Sequence, residues 1–424
     1  MTFTTATLSP GRLRGTIAVP GDKSISHRAL LLGALSPHRI AVSNLNPGRD
    51  VRATARALEA IGTSVHLDGT NARVQAGELR DPLRAIDCMN SGSTARMMLG
   101  VCTGANLHAQ FDGDDSLRRR PMEPVAAHLR AFGARIETTN GTLPAVLDGR
   151  SEPQTRRFIL VKPSAQIKTA LLLAGAYANT PVSMLGDKGS RDHTERLLRY
   201  FGADVTFDRS RVELRSMPSH FRDVDVAGDF SAAAFFIVAA TVAEGSSITI
   251  PGVGVNPSRT GLLDALMQMG ANIRLENERE RCGEPIADIV VESAPLRAIS
   301  MSGDLAVRAI DEILVLAVAA AFAQGETRIT GIAELRNKES DRVAAILRLM
   351  RAADVPVEPL PNGLAIRGGR PRCEGTRIET QGDHRTAMAS AALAAGAGAL
   401  RIDDESSIDV SFPAFMPVFR KAQA

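Results

Sequence analysis

The chain has 424 residues, too many for one ordinary core, so about two domains are expected. Its net charge is only +3, it contains no Trp, and Tyr177 and Tyr200 are its only tyrosines. That excludes both a strongly basic nucleic-acid surface and an aromatic stacking platform, but leaves room for a small acidic ligand held by local charge.

Taken in chain order, the first punctuated stretch is "VPGDKSISHRALLLGAL", residues 19–35. A Gly-Asp-Lys-Ser turn leads into an apolar run, followed by a turn and the strand-like "RIAV". The same plan recurs from Arg96, Thr169, Phe235, Ile313 and Ala387, giving six copies of a buried helix, a turn and a short strand. A second pattern alternates with the first. It reads "ARALEAIGTSV", "AAHLRAFGARI", "ERLLRYFGADV" and "LDALMQMGANI", with a weaker "ILRLMRAADV" from Ile346. These are amphipathic helices closed by Gly62, Gly133, Gly202 and Gly270. The glycines stand roughly 70 residues apart, a unit large enough for two helices and several strands. Three such units make a domain of ordinary size. The halves also answer one another, "VPGDKS" at Val19 against "VAGDFS" at Val226. Two similar α/β domains follow, residues 1–20 with 228–424 and residues 21–227. Hinge crossings are expected near Gly21 and Gly228, with the ligand cleft between domains.

The four cysteines (Cys88, Cys102, Cys282 and Cys373) form no CxxC pair and have no His at metal-ligand spacing. This fits reduced thiols. The beginning of the chain has no basic-then-apolar signal pattern. The apolar run from Ala232 is shorter than the roughly 20 residues of a membrane span. A soluble, cytoplasmic protein is expected.

Polar residues gather just before the six apolar runs, as "GDKSISHR", "NSGSTAR", "PSAQIK", "GDFS", "AIDE" and "GDHRT". A helix N-terminus presents unpaired N–H groups and the positive end of the dipole, so phosphates and carboxylates bind there. Ser24, Ser91, Ser164 and Ser231 each read as simple caps when taken alone. Lys23, Arg28, Arg96, Lys168 and Arg385 beside them do not, because cations oppose the dipole there and a bound anion removes the conflict. "GDDSLRRRP", residues 113–121, adds three arginines, alternatively a solvated charge run. "LRNKESDR", residues 335–342, reads by itself as a capped helix start, with Ser340 or Asp341 as the cap.

The motifs "PGDKSISHRALLLGALS", "NSGSTAR", "GDDSLRRRPM", "SAQIKTALLLAG", "RDHTERLL", "IDEILVLAVAAAFAQGET", "LRNKESDR", "GDHRTAMA" and "SFPAF" occur in this order from about Gly15 to Phe415. In combination they resemble the 5-enolpyruvylshikimate-3-phosphate (EPSP) synthase family. "SAQIK" and "RDHTE" look like the second of its two sequence classes. The resemblance implies the enolpyruvyl transferase fold, an inside-out α/β barrel of six βαβαββ units, three per domain, with the active site in the interdomain cleft. It implies a reaction in which the 5-hydroxyl of shikimate 3-phosphate attacks C2 of phosphoenolpyruvate and inorganic phosphate leaves. This is a step of the shikimate pathway toward aromatic amino acids. It implies no metal, no organic cofactor, no nucleic-acid or membrane partner, and a monomer.

The same resemblance assigns residues. Lys23 touches both substrates. Ser24, Arg28, Ser164, Ala165, Gln166 and Arg191 hold shikimate 3-phosphate, with Asp311 and Lys338. Asn90, Gly92, Arg120, Gln166, Arg342 and Arg385 surround phosphoenolpyruvate. Asp311 is the base near the 5-hydroxyl, and Glu339, assisted by Lys338, protonates the enol carbon. These three can titrate as a coupled group. By themselves, Asp311 reads equally as a helix cap and Glu339 as a first-turn partner of the dipole. His27 and His193 are read as structural and His384 as a site wall. The chain departs from the family pattern at Val410, Glu123 and Asn337, the last standing where Val is usual. Val410 occupies a position where many members have Lys, so a phosphate-side cation is missing or supplied elsewhere. Glu123 replaces a common Gly and trims the local positive field. Gly92 is the smaller residue used at its position, Ala there accompanying tolerance to glyphosate, so sensitivity is expected.

Two alternatives compete. The sister enolpyruvyl transferase acting on UDP-N-acetylglucosamine carries a Cys on a mobile loop and an early Lys-Asn pair. Here Lys23 is followed by Ser24, and residues 117–121 offer Arg. A non-catalytic anion-binding paralogue has no need for Asp311 and Glu339 among so many cations.

Overall fold

In the computed structural model, which describes residues 5–152, 156–161, 163–186 and 189–424, the six apolar runs are helices. They are Lys23–Gly33, Gly92–Gly104, Ala165–Tyr177, Phe230–Val242, Ile313–Phe322 and His384–Ala397. Their Ala- and Leu-rich composition suits burial on every side, since such residues lose little rotamer freedom in a helix and carry no polar group that needs a partner. The second pattern forms the amphipathic helices Arg49–Ala60, Glu123–Phe132, His193–Tyr200, Gly261–Met269 and Arg342–Ala352. Each turns into its strand through a left-handed residue. Gly133 has φ 119° and Gly270 φ 94°. The weak fifth copy does the same with Asp354, φ 55°. Asp tolerates that region better than most side chains, which explains why the pattern faded in sequence yet persists in structure.

The described strands form six sheets of one plan. A parallel pair lies at one edge, and an antiparallel strand follows. Ile86–Asp87 runs parallel to His108–Asp112, which pairs antiparallel with Thr142–Arg150, which pairs antiparallel with Ala134–Thr139. The α/β expectation is met. Three of the sheets need a strand from a distant part of the chain. Val224–Asp225 completes the sheet of Ile40–Ser43. Arg14–Thr16 joins Ser247–Gly254 in parallel, and Ala6–Leu8 joins Leu400–Ile402 antiparallel.

Those pairings underlie a division into two compact units. One comprises Met1–Pro20, Gly228–Arg279 and Pro285–Ala424, and the other Gly21–Ala227 with Glu280–Glu284. In the first, three buried helices pack pairwise on one another, and Phe235, Phe236, Phe412, Phe415 and Phe419 form an aromatic cluster against them. In the second, Gly92–Gly104 and Ala165–Tyr177 approach so closely that a Cβ at Gly100 would lie 2.3 Å from the carbonyl oxygen of Ala170. No described helix is long and apolar enough to cross a membrane.

Candidate active site

The candidate residues stand at helix starts, and the caps decide what those starts leave available. Asp22 caps Lys23–Gly33, accepting from Ile25 N–H at 2.9 Å, and Asp229 caps Phe230–Val242, accepting from Ser231 N–H at 2.8 Å. Ser91 and Ser164 cap Gly92–Gly104 and Ala165–Tyr177. Ser24 and Ser231 are therefore not caps. In each Gly-Asp turn the carboxylate stands immediately before the helix and takes the open N–H groups, leaving the serine inside the first turn.

In the unit Gly21–Ala227, Lys23 begins its helix and meets Asp50 at 2.9 Å. Arg28 is buried. Its Nε donates to Thr194 Oγ1 at 2.7 Å, Nη2 to Thr169 Oγ1 at 2.7 Å and Nη1 to the Ser24 carbonyl at 2.8 Å. Burial pulls the Arg28 guanidinium down to about 10, with Glu195 and Asp22 opposing and the Arg191 charge adding to the fall. It remains charged at neutral pH, and Arg191 is near enough to act on it. Asn90 donates to Asp114 at 2.6 Å and receives Arg120 Nη1 on its carbonyl at 3.1 Å and Arg120 Nη2 on its side-chain oxygen. Gln166 accepts from Arg96 Nη1 at 2.8 Å and donates to Ser93 Oγ at 3.0 Å. Gly92 lies against the same groups: a Cβ there would be 2.7 Å from Arg96 Nη1 and 3.5 Å from Arg120 Nη1. The structure thus brings Asn90, Gly92, Arg120 and Gln166 into one neighbourhood.

Several cations prove to be engaged elsewhere. Of the arginine run, Arg118 pairs with Asp112 at 2.6 Å, while Arg120 turns to Asn90. Lys168 does not stand open to an anion. It is 1% exposed and meets Glu195 at 2.7 Å. Glu123 directs its carboxylate to Arg130 and Thr138.

His193 is buried and bonds Glu284 through Nδ1 at 2.8 Å. His27 is also buried, with Nδ1 at 2.7 Å from Thr54 Oγ1. Burial, reinforced by Lys23 and Arg28, lowers the His27 pKa well below 6.5. The folded protein keeps it neutral, whereas the unfolded chain takes a proton below about pH 6.5. Its contribution to stability is therefore full above that pH and declines as pH falls, by up to about 1.4 kcal/mol per unit. Urea midpoints of a His27→Gln variant measured between pH 7 and 5 should fall less steeply than those of the parent.

The other unit gathers acids around cations. Arg342 is 2% exposed; its Nε donates to Asp383 at 2.9 Å, its Nη2 to Glu339 at 2.6 Å, and its Nη1 lies 3.6 Å from Asp311. Burial works against its charge, but Asp383, Glu339 and Asp311 outweigh it and hold the guanidinium above its ordinary range. Lys338 stands 3.6 Å from Asp311 and 2.8 Å from Glu334. Asp311 is not a helix cap. The cap of Ile313–Phe322 is Glu312, and Asp311 stands one residue before it, its carboxylate turned to the two cations. Asp341 caps Arg342–Ala352, accepting from Ala344 N–H at 3.0 Å, which settles the choice between Ser340 and Asp341. Arg385 donates to the Asp311 carbonyl at 2.6 Å and to Ser231 Oγ at 3.1 Å. His384 is buried beside Asp383, and Val410 ends the 3-10 turn Ser406–Val410.

Sequence reasoning missed the partners that aim these groups. Asp50 holds Lys23, Thr169 and Thr194 hold Arg28, and Asp383 holds Arg342. Asp383 lies inside the quoted "GDHRT", where its position before the helix was the available signal. Thr169 and Thr194 lie inside the motifs "SAQIKTALLLAG" and "RDHTERLL", but nothing there points to Arg28, and Asp50 lies in no such motif; only tertiary folding brings the three to their partners.

The EPSP synthase (3-phosphoshikimate 1-carboxyvinyltransferase) family model matches residues 8–419. A 3-phosphoshikimate 1-carboxyvinyltransferase of Gloeobacter violaceus is 46% identical over 416 residues, 95% of each chain. An EPSP synthase structure from Acinetobacter baumannii is similar with a TM-score of 0.86 and 35% identity, covering 99% of this chain and 98% of that one. The enolpyruvyl transferase NikO of Streptomyces tendae shares the fold at a TM-score of 0.77 and 17% identity, with 99% and 98% coverage.

Proposed function

Because the chain belongs to the EPSP synthase family and so carries 3-phosphoshikimate 1-carboxyvinyltransferase activity, we propose that its two residue sets divide the work of that reaction. Lys23, Ser24, Arg28, Ser164, Ala165, Gln166 and Arg191 hold shikimate 3-phosphate. Asn90, Gly92, Arg120, Gln166, Arg342 and Arg385, with Lys23, hold phosphoenolpyruvate. Asp311 takes the proton of the 5-hydroxyl as its oxygen attacks C2 of phosphoenolpyruvate. Glu339, with Lys338 beside it, protonates the methylene carbon to a methyl group; the tetrahedral adduct then expels phosphate as the methyl group returns a proton to the Glu339 carboxylate, which restores the enol double bond. The observation that carries this reading is the Arg342 cluster. There Asp311 and Glu339 flank one buried guanidinium at 3.6 Å and 2.6 Å, so a proton acceptor and a proton donor share one cationic centre. Arg385 supports it by holding the Asp311 main chain. Cation-rich helix starts supply what two phosphates and two carboxylates require.

The deciding measurement is phosphate release from phosphoenolpyruvate. Release should require shikimate 3-phosphate; release only with UDP-N-acetylglucosamine, or none with either, overturns the reading. The proposal extends, as the sequence and its family resemblance lead one to expect, to a monomer working in the cytoplasm.

Gly92 extends the same proposal to glyphosate. A methyl group at this position meets the Arg96 guanidinium at 2.7 Å, and Arg96 in turn holds Gln166. Glyphosate should inhibit the parent, and Gly92→Ala should raise its inhibition constant roughly tenfold, the scale of one misplaced methyl in a fitted pocket. An inhibition constant unchanged by the substitution refutes this role for Gly92.

A further inference from the structure

Lys168 and Glu195 form an ion pair with almost no solvent around it: the side chains are 1% and 0% exposed, and Nζ to Oε1 is 2.7 Å. Removing two charges from water costs more than a surface pair returns, and two apolar residues would fill the space with no loss of stability. What an ion pair adds is a fixed spacing between the elements that carry it. Here those elements are the first turns of two helices. Lys168 lies in Ala165–Tyr177, four residues after the capping Ser164, and Glu195 lies in His193–Tyr200, four residues after Arg191.

The neighbouring residues repeat the connection. Thr169 and Thr194 meet through their hydroxyls at 2.6 Å, so the two helix starts are joined by two adjacent rungs, 168 to 195 and 169 to 194. Arg28 donates to both threonines, at 2.7 Å each. Lys168 makes a further bond to the Ser190 carbonyl at 3.2 Å, which anchors the backbone immediately before Arg191. Arg28, Lys168, Thr169, Thr194 and Glu195 are all buried, and each one touches an element that carries a proposed ligand of shikimate 3-phosphate.

We propose that the Lys168–Glu195 pair is a positioning clamp, setting the distance between the Ser164–Gln166 turn and the Arg191 segment so that both engage shikimate 3-phosphate together. Neither residue touches substrate. The clamp acts chiefly on the affinity for shikimate 3-phosphate, reaches phosphoenolpyruvate only through Gln166 and so more weakly, and leaves the proton transfers alone. It rests on the assignment of that pocket given above.

The test separates the two claims. In the double variant Lys168→Met with Glu195→Leu, both charges go and the volume stays. Its urea midpoint should match or exceed that of the parent. Its KM for shikimate 3-phosphate should rise about tenfold, a modest part of what a misplacement of about 1 Å can cost, while kcat and the KM for phosphoenolpyruvate stay within about threefold. A folded double variant with the parent's KM for shikimate 3-phosphate overturns the clamp. If that variant does not fold, Glu195→Asp decides by the same criterion, since it keeps the charge and shortens the reach: a raised KM supports the clamp and an unchanged one overturns it. Arg191→Ala tests the pocket itself with the clamp intact. An unchanged KM for shikimate 3-phosphate there removes the pocket assignment, whereas a raised KM beside a normal double variant removes only the clamp.

Discussion

Asp311→Ala should lower kcat about a thousandfold, within the range that a positioned general base contributes, while leaving the fold intact. The fold is expected to survive because Asp311 caps no helix and its main chain stays bonded to Arg385 at 2.6 Å. Glu339→Gln should cost a similar factor but differ in one readout. Solvent deuterium should no longer enter the methylene group of phosphoenolpyruvate, because the donor to that carbon is gone. Single-turnover phosphate release gives the first quantity and mass spectrometry of recovered phosphoenolpyruvate the second. If either variant turns over within about threefold of the parent, that residue is not a proton carrier. Deuterium entry that survives in Glu339→Gln and stops in a Lys338→Met variant would transfer the donor role to Lys338, which stands 3.6 Å from Asp311.

Arg342→Met should have the second large effect, and on stability as well as rate. The guanidinium serves Asp383, Glu339 and Asp311 at once, and Asp383 is fully buried. Removing one partner of a buried pair leaves an uncompensated charge and costs about 3–5 kcal/mol. The pH dependence has a definite sign. Burial alone would raise Asp383, but Arg342 and His384 outweigh it and hold its pKa below the usual carboxylate range. Its stabilising contribution in the parent is thus present above the ordinary carboxylate pKa and lost as pH falls through the lower folded one. In the variant the cation is missing, burial dominates, and Asp383 takes up a proton more readily. The stability gap between parent and variant should therefore be widest near pH 7 and narrow toward pH 4 in urea titrations. A gap that stays constant across that range would show that the loss comes from packing and not from charge.

The sixfold repeat, the buried helices and the left-handed closures were legible in sequence, because each depends on local composition and backbone preference. Asp354 shows the limit of that legibility: the backbone geometry persists where the glycine that advertised it is absent. Side-chain destinations were less accessible. Lys168 and Arg28 both stand within the first two turns of buried helices, yet Lys168 is consumed by Glu195 while Arg28 joins two threonines. A long flexible side chain can turn either way from its helix, and only the neighbouring element decides which. The capping assignments at Ser24 and Ser231 failed for a related reason. Aspartate and serine stood two residues apart, both suited to the task, and the exact start of the helix chose between them. The proton-transfer candidates were legible only as part of a whole motif set. Taken alone, Asp311 read equally well as a cap.

The short segment Glu280–Glu284 has a practical consequence for dissecting the gene. It joins the strands Asn272–Arg281 and Glu284–Glu292 but clusters with Gly21–Ala227. Glu284 gives the buried His193 its partner, and the Gly283 carbonyl accepts from Arg196 at 3.2 Å. A fragment excised at residues 21 and 227 would have matched ends and three complete sheets, yet it would carry an unfilled groove along His193–Tyr200. Anyone seeking an autonomous half-protein should graft these five residues back, or supply them as a peptide and look for reassembly by complementation.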